Sequence, residues 1–220
     1  MRVCVPLIDR SVEAMVESAK SLKADLVELR LDYLEDTGGL DRLSKIKTPK
    51  IVTCMPKWEG GKFQGSEEDR VALLKRTLNF ADYVTVELKT ESALRDSLIK
   101  EAKKSKVKVI IAFHDFKRTP GETEIRATLE EEVKAGADIA KVAYMPANYG
   151  DVLRVMQVLV DKPVKIPIIA LSMGELGSIS RIMGPVMGAY LTFASASKGR
   201  ESAAGQLTID EIRRMAGIIK

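Results

Sequence analysis

The sequence predicts an α/β fold in which eight parallel strands alternate with helices and close into one (β/α)₈ barrel, the TIM barrel. Three observations support this prediction. Short apolar runs recur along the whole chain, and amphipathic stretches separate them. Each strand-plus-helix repeat takes roughly 23 to 32 residues, about the size of one βα unit. We count eight repeats in the 220 residues, a chain a little shorter than the ~250 residues usual for this barrel. We expect residues 1–220 to form a single domain.

The predicted strands are short apolar runs rich in β-branched residues. They cover residues 3–8, 25–31, 50–54, 83–88, 107–113, 138–143, 166–171 and 189–194. The clearest predicted helices cover residues 12–22, 67–80, 91–104, 122–134 and 151–160. Ser11 and Ser66 stand at expected N-cap positions, and Gly136 follows a helix end. A doubly wound open sheet is the alternative, but the first strand–helix turn lacks the GxGxxG sequence of its dinucleotide-binding form.

The composition excludes several classes of protein. Charged residues make up 30% of the chain and apolar residues 45%, which is typical of a globular protein rather than a disordered or membrane protein. The net charge of 35 − 31 = +4 does not indicate nucleic-acid binding, but it suits a small anionic ligand. Two cysteines and one histidine lack the spacing of a zinc site or a disulfide framework. With no signal peptide and no long apolar run, we expect a cytoplasmic protein without a membrane partner.

Two polar residues lie on neighbouring predicted strands. Lys141 stands inside the apolar run 138–143, and His114 directly follows the run 107–113. Each has an ordinary structural interpretation, namely a lysine that extends to solvent and a histidine bound to a backbone carbonyl. Because the carboxyl ends of barrel strands meet at one end of the barrel, the pair instead indicates an amine nucleophile beside a general acid/base.

Charged residues also mark the second and third predicted strands. Glu28, Arg30 and Asp32 alternate along the chain, so they share one face of a strand. We expect this face to point into the barrel, as an internal ion network, as a ligand site, or as both. Glu59 follows the third strand in a glycine-rich loop, where it either orients His114 or is a solvated loop charge.

The loops after the last two strands are candidates for anion binding. Arg181 follows residues 172–174 at the end of the seventh strand, and residues 202–206 follow the eighth strand. Arginine offers a planar fork to a carboxylate or phosphate, and loops seven and eight of such barrels often bind anions. The ordinary alternative for Arg181 is a surface ion pair. Glu87, near the end of the fourth strand, is as ambiguous as Glu59.

These residue types together describe Schiff-base chemistry. A buried amine condenses with a ketone, and the resulting iminium makes the neighbouring C–H bond acidic. One histidine then moves the proton, and an arginine binds an anionic group. We therefore expect the substrate to be a small anionic ketone. The residues alone do not distinguish an aldolase from a dehydratase.

The sequence resembles type I 3-dehydroquinate dehydratase, the dehydroquinase of the shikimate pathway, from residue 3 to about residue 206. The segments that carry the resemblance are, in chain order, Glu28-Leu29-Arg30-Leu31-Asp32, Glu59-Gly60-Gly61, Phe113-His114-Asp115-Phe116 with Thr119-Pro120, Ala140-Lys141, Ser172-Met173-Gly174 with Ser180-Arg181, Thr192-Phe193 and Ala204-Gly205-Gln206. Each segment alone is weak, but their common order is specific. The resemblance implies loss of water from 3-dehydroquinate to give 3-dehydroshikimate. It also implies a (β/α)₈ barrel, usually a homodimer, with no metal or organic cofactor.

The resemblance further implies the roles of individual residues. Lys141 matches the Schiff-base lysine, His114 the general acid/base that removes the C2 proton and assists departure of the hydroxyl, and Glu59 the carboxylate paired with that histidine. The substrate-binding residues that it implies are Glu28 and Arg30 at the hydroxyl groups, Arg181 at the carboxylate, and Ser202 and Gln206 in a loop that closes over the substrate.

Two positions depart from the family pattern. The family commonly has an arginine four residues before the glutamate of Glu-Gly-Gly, where this chain has Met55. It often has an aspartate two residues before the position of Glu87, where this chain has Thr85. Lys57 and Lys62 are candidates to replace the arginine, although lysine lacks the bidentate fork. We expect these departures to affect affinity more than reaction type.

Two other functions remain open from the sequence. A class I aldolase on the same fold would also use Lys141 and would turn over acetaldehyde or a phosphosugar. A non-catalytic anion-binding barrel, inactivated through Met55, would bind dehydroquinate without turnover. The His-Asp-Phe and Ser-Met-Gly segments favour the dehydratase.

Overall fold

The structure, a computed structural model, describes residues 1–219. Its strands are β1 (Val3–Leu7), β2 (Leu26–Arg30), β3 (Lys50–Thr53), β4 (Tyr83–Glu87), β5 (Lys108–Asp115), β6 (Ile139–Tyr144), β7 (Ile168–Ser172) and β8 (Thr192–Phe193). Its α-helices are α1 (Val12–Ser21), α2 (Glu67–Lys75), α3 (Ser92–Lys104), α4 (Glu122–Lys134), α5 (Tyr149–Asp161), α6 (Gly174–Val186) and α7 (Ile209–Ile218). Short 3₁₀ helices cover Leu31–Tyr33, Leu40–Lys45 and Lys57–Glu59.

The eight strands form one parallel sheet in the order β7-β6-β5-β4-β3-β2-β1-β8. The backbone N–H of Tyr190, just before β8, donates to the carbonyl oxygen of Ile168 in β7 at 2.8 Å. This contact brings the two edge strands together, so the barrel is nearly closed. The predicted (β/α)₈ fold is confirmed. The sequential strand order differs from a doubly wound sheet, in which the order reverses at a switch point.

The interior of the barrel changes from apolar to polar along its strands. Residues at the amino ends of the strands form an apolar cluster that includes Leu26, Ile51, Ile110, Ile139, Ile169 and Leu191. Because side chains alternate along a strand, positions two and four residues further on point into the same interior. There the sequence places polar residues, among them Glu28, Arg30, Thr53, Thr85, Glu87, His114 and Lys141. Buried polar groups must be paired or bind something, so the carboxyl end of the barrel is the place for a functional site.

The helices pack outside the barrel, and their caps agree with the sequence prediction. The Ser11 hydroxyl accepts from the Ala14 N–H at the start of α1. Ser66 and Asp69 form a reciprocal capping box at the start of α2. Gly136 follows α4 with φ of 100°, a backbone conformation that glycine adopts without strain.

The structure differs from the prediction at three elements. Helix α2 ends at Lys75 instead of residue 80, and the chain continues in turns, where the Thr77 hydroxyl donates to the Leu74 carbonyl at 2.7 Å and the Thr77 N–H donates to it at 3.1 Å. The connection from β2 to β3 holds the short 3₁₀ helix Leu40–Lys45 in place of an α-helix. Strand β8 is only two residues long. Within residues 1–219, none of the helices combines the length and the hydrophobicity that a membrane-spanning segment requires.

Candidate active site

A cavity opens at the carboxyl ends of the strands. The predicted site residues that line it are Glu28, Arg30, His114, Lys141, Arg181, Ser202 and Gln206. The structure therefore brings together residues from β2, β5, β6, α6 and the segment after β8. Glu59 is the one predicted site residue that does not line the cavity. It lies behind His114, in contact with its ring.

Lys141 lies on β6 and points into the cavity. It is 8% exposed, and its Nζ lies 4.4 Å from the ring centroid of Phe193. Its backbone N–H donates to the Glu132 carboxylate on α4 at 2.8 Å. The alternative of a lysine that extends to solvent is wrong for this residue. The amine instead faces the cavity from a buried strand between aromatic and apolar side chains.

His114 is held at the end of β5 by Glu59. The imidazole Nδ1 lies 2.8 Å from Oε2 of Glu59, and the two side chains are 10% and 2% exposed. Burial lowers the pKa of His114 well below its ordinary value, and the positive charges of Lys141 and Arg30 lower the pKa further. The imidazole is therefore neutral near pH 7. When Glu59 is ionised and accepts from Nδ1–H, the other ring nitrogen is free to accept a proton.

Glu59 is itself an unusual carboxyl group. Burial raises its pKa to about 8, although Lys89, Lys141 and a hydrogen bond from His114 act in the opposite direction. The loop that carries it needs its glycines. The N–H of Gly61 donates to the Pro56 carbonyl at 2.8 Å, and a side chain at Gly61 would clash with the backbone of Met55. The Glu-Gly-Gly sequence thus folds the loop tightly enough to bring Glu59 under His114.

Glu28 and Arg30 on β2 are buried, and so is Asp32, which lies in the 3₁₀ helix after β2 and not on the same strand face as expected. Arg30 and Asp32 form an internal ion pair. Arg30 donates to both carboxylate oxygens of Asp32, from Nε at 2.8 Å and from Nη2 at 2.7 Å. Glu28 accepts a hydrogen bond of 2.8 Å from the Thr53 hydroxyl on β3. Glu28 and Arg30 also line the cavity, whereas Asp32 does not. Arg30 therefore belongs both to the internal ion pair and to the wall of the cavity.

Arg181 lies on α6 and not in a loop as expected. It is 2% exposed, so the surface ion pair is wrong for this residue, and burial lowers its pKa to about 10. Its Nε donates to the carbonyl of Gly205 at 3.0 Å, and its Nη2 to that of Ala204 at 3.2 Å. The guanidinium thus holds the segment after β8 against the cavity.

The segment after β8, residues 196–207, covers one side of the cavity; we call it the lid. Gln206 accepts from the Ser202 N–H at 2.8 Å through Oε1, and the N–H of Gly174 donates to Ala204 at 3.2 Å. Within the lid, Arg200 forms an ion pair of 2.5 Å with the buried Asp9, two residues after β1. These contacts place Ser202 and Gln206 at the cavity wall.

Sequence reasoning missed one charged residue beside the site. Arg70 on α2 is fully buried and forms an ion pair of 2.5 Å with Glu87, which lines the cavity. The sequence does contain a sign of its burial, because Arg70 lies four residues before the apolar Leu74 and therefore on the same face of the helix. Lys57 and Lys62, expected as substitutes for the missing arginine, are exposed and lie outside the cavity lining.

Metal-binding side chains do not cluster in the part of the chain that the structure describes. Across residues 1–219, no group of three or more histidine, cysteine, aspartate or glutamate residues is placed to hold an ion. Cys4 and Cys54 are both buried and free.

Comparison with known proteins decides the family. A family model of type I 3-dehydroquinase matches residues 3–220. The chain belongs to the type I 3-dehydroquinase family. It is similar to 3-dehydroquinate dehydratase of Methanococcus vannielii, with 38% identity over 99% of this chain and 100% of the relative. The same enzyme of Methanocaldococcus jannaschii is 37% identical over 97% and 96% of the two chains.

Solved dehydroquinases share the fold of this chain. Type I 3-dehydroquinate dehydratase from Clostridium difficile superimposes with a TM-score of 0.91 and 31% identity, over 99% of this chain and 92% of that one. A 3-hexulose-6-phosphate synthase from Salmonella typhimurium, at 16% identity and a TM-score of 0.63, shares the fold alone. Membership of the dehydroquinase family makes this chain a hydro-lyase of the shikimate pathway, and it favours the dehydratase over the aldolase and the binding-only barrel.

Proposed function

We propose that this chain dehydrates 3-dehydroquinate through a Schiff base on Lys141, with His114 as the general acid/base. The observation that carries the proposal is the shared cavity. A buried lysine amine and a neutral imidazole face the same space, and Glu59 fixes the imidazole from behind. An amine and a base on one wall supply the two groups that this elimination needs.

The reaction proceeds in balanced steps. The Lys141 amine adds to the ketone carbonyl, and loss of water gives an iminium. His114 takes the C2 proton, and the electron pair of that C–H bond moves toward the iminium nitrogen to form an enamine. The enamine expels the neighbouring hydroxyl, which leaves as water with the proton from His114. Water then hydrolyses the remaining iminium, which releases 3-dehydroshikimate and restores the amine. One water is lost overall.

The other predicted site residues bind the substrate in this proposal. Arg181 binds the substrate carboxylate, for which a buried and weakly hydrated guanidinium is well suited. Glu28 and Arg30 contact the hydroxyl groups from β2. Ser202 and Gln206 close over the substrate as part of the lid, so that water is excluded during proton transfer.

Borohydride trapping tests the Schiff base. The protein is mixed with 3-dehydroquinate, reduced, digested and analysed by mass spectrometry. We expect the added mass on Lys141, together with product formation detected by ultraviolet absorbance. Lys50 is an internal control, since it is equally buried at 7% exposure but lies outside the cavity lining. A folded sample that gives no adduct on Lys141, or gives it equally on Lys50, would overturn the mechanism. The Clostridium difficile relative was solved with covalently modified comenic acid, which supports covalent chemistry in this family.

We further propose that the protein is a homodimer. The resemblance implies a dimer, and α5 and α6 expose an apolar face formed by Tyr149, Leu153, Val160, Ile179 and Val186. Exposed apolar patches of this kind mark contact surfaces. Light scattering after gel filtration tests the assembly. We expect a dimer for the wild type and for Val133→Lys on α4, but a monomer for Leu153→Lys. A monomeric wild type contradicts the proposal.

We also propose a cytoplasmic location. Cys4 and Cys54 are free, as expected in a reducing compartment. Fractionation of the source cells tests this location, because recovery of the protein outside the cytoplasmic fraction contradicts it.

A further inference from the structure

Arg70 uses every hydrogen-bond donor of its guanidinium. Nε and Nη2 donate to the two carboxylate oxygens of Glu67 at 3.0 and 2.8 Å, and Nη2 also donates to the Thr90 hydroxyl at 2.8 Å. Nη1 donates to the Cys54 carbonyl at 3.0 Å and to Glu87 at 2.5 Å. An arginine offers five N–H donors in a rigid fork. Arg70 therefore has one fixed orientation.

The partners of Arg70 connect the outside of the barrel to the cavity. Glu67 is on the outer helix α2 and is partly exposed. Cys54 and Thr90 lie just after β3 and β4, at the end of the barrel where the cavity opens. Glu87 is the last residue of β4, and its carboxyl group is 1% exposed and lines the cavity. The guanidinium thus approaches the cavity wall from behind.

We propose that Arg70 is a positioning residue of the active site, which orients Glu87 as the acceptor for a hydroxyl group of the substrate. The inference rests on the dehydratase function proposed above. It also accounts for Met55, which occupies the cavity wall where the family resemblance places an arginine. In this chain a guanidinium comes instead from α2, while Lys57 and Lys62 are exposed and lie outside the cavity lining.

Arg70 acts on Glu87 through its positive charge as well as through its fixed position. Burial raises the pKa of Glu87 to about 8, the positive charge of Arg70 opposes that rise, and the negative charge of Glu59 adds to it. The Cys54 thiol lies close by, just after β3, and burial raises the pKa of this thiol. Loss of Arg70 would therefore leave a carboxyl group that ionises at still higher pH and has no fixed orientation. A protonated carboxyl group is a weaker acceptor for a hydroxyl than a carboxylate.

A double-mutant cycle of Arg70→Met and Glu87→Gln tests the inference. If Arg70 acts through Glu87, each single variant lowers kcat/KM for 3-dehydroquinate by about 10- to 100-fold. The double variant then loses no more than the worse single variant, since both changes remove one interaction. The rising limb of the kcat/KM profile against pH moves to higher pH in Arg70→Met. Arg70→Lys, which keeps the charge, moves it less.

Controls separate this role from folding and from the chemistry itself. Arg76→Met removes an exposed guanidinium at the end of the same helix, which contacts the Thr37 carbonyl and lies outside the cavity lining, and it should leave kcat/KM unchanged. The double variant leaves no unpaired charge in the interior, so it should fold even if Arg70→Met does not, and Arg70→Lys provides the second comparison.

Borohydride should still trap the substrate on Lys141 in every variant. Losses that multiply in the double variant, or a rising limb that does not move, would show that Arg70 only supports the scaffold and would overturn the inference. Failure of trapping in the wild type would overturn the proposed function instead.

Discussion

At the scale of single residues, the proton on His114 depends on the state of Glu59. When Glu59 is ionised, it accepts from Nδ1–H and leaves the second ring nitrogen free to take the C2 proton. When Glu59 is protonated, it donates to Nδ1, and the proton of the ring sits on the nitrogen that must act as the base. Only the first arrangement can start the reaction. The pKa of Glu59, which burial raises to about 8, therefore controls the active fraction of the enzyme.

This dependence predicts the acid limb of the pH profile. We expect kcat/KM to rise about tenfold for each pH unit below the pKa of Glu59 and to level off above about 8, because kcat/KM reports ionisations of the free enzyme. Initial rates between pH 6 and pH 9, followed by ultraviolet absorbance, measure the profile. A profile that is already flat at pH 6.5 would contradict the proposed control by Glu59.

Glu59→Gln removes the charge that fixes the imidazole. We expect kcat to fall by about 10²- to 10⁴-fold, the usual range for loss of general acid/base catalysis, and the acid limb that remains to follow Glu87 alone. Lys141 is unchanged, so borohydride should still trap the substrate on it. If trapping disappears together with turnover, Glu59 acts on Schiff-base formation and not on the proton transfer through His114.

At the scale of elements, the lid depends on one glycine. Gly205 has φ of 74°, and a Cβ atom there would clash with the carbonyl oxygen of Gly174. Gly199 in the same lid has φ of 82°, but nothing lies near its Cβ position. The two residues share the backbone strain that alanine would meet at positive φ. Only Gly205 also requires close approach of the backbone.

A comparison of Gly205→Ala with Gly199→Ala therefore separates the effect of backbone strain at positive φ from the effect of the close backbone contact. We expect Gly205→Ala to lower kcat/KM by about tenfold or more, since the lid cannot settle against α6 and the contacts of Arg181 with its carbonyls are lost. Gly199→Ala should change kcat/KM by less than about threefold, because the strain is spread over an exposed turn. Steady-state kinetics of both variants decide the point, and equal losses would exclude the packing argument.

The local sequence pattern was sufficient to predict most strands and helices but not the residues at which they end. The eight strands could be predicted because each is a local apolar run, and the caps at Ser11 and Ser66 depend on residues three positions apart. The end of α2 could not be predicted in this way, because the sequence does not show that the Thr77 hydroxyl donates to the Leu74 carbonyl there. Arg181 was expected in a loop because the start of α6, at Gly174, follows β7 after a single residue.

At the scale of the whole molecule, the site residues could be named from the sequence but their partners could not. Lys141 and His114 were conspicuous as polar residues in apolar runs. The ion pair of Arg70 with Glu87, and that of Arg200 with Asp9, join residues 17 and 191 positions apart. Such pairs form only when the helices and loops pack against the strands, so no local spacing reports them. The family resemblance identified the reaction, but it placed a guanidinium at position 55, which this chain lacks.

The buried ionisable groups also set how the stability of the barrel depends on pH. Burial raises the pKa values of Glu59 and Glu87 from an ordinary 4.5 to about 8, and it raises the pKa of Glu132 well above 4.5. The folded protein therefore binds more protons than the unfolded chain above pH 4.5, and the free energy of unfolding falls as pH rises. His114 has the opposite sign, because its pKa is lowered on folding. Its contribution is complete once the pH exceeds its ordinary value of 6.5.

Between pH 6.5 and pH 8 only the buried carboxyl groups still bind more protons in the folded state than in the unfolded chain. The melting temperature should therefore fall across this interval. For each extra proton that the folded state binds, the free energy of unfolding falls by about 1.4 kcal/mol per pH unit, or roughly 3–6 °C in melting temperature for a protein of this size. Glu132→Gln removes one of these groups while its side-chain oxygen can still accept from the Lys141 N–H, so its melting temperature should fall less steeply. Thermal unfolding followed by circular dichroism at four pH values measures both slopes. Parallel slopes would mean that Glu132 does not titrate on unfolding in this range, and a melting temperature that does not change with pH would mean that the buried carboxyl groups are already ionised in the folded barrel.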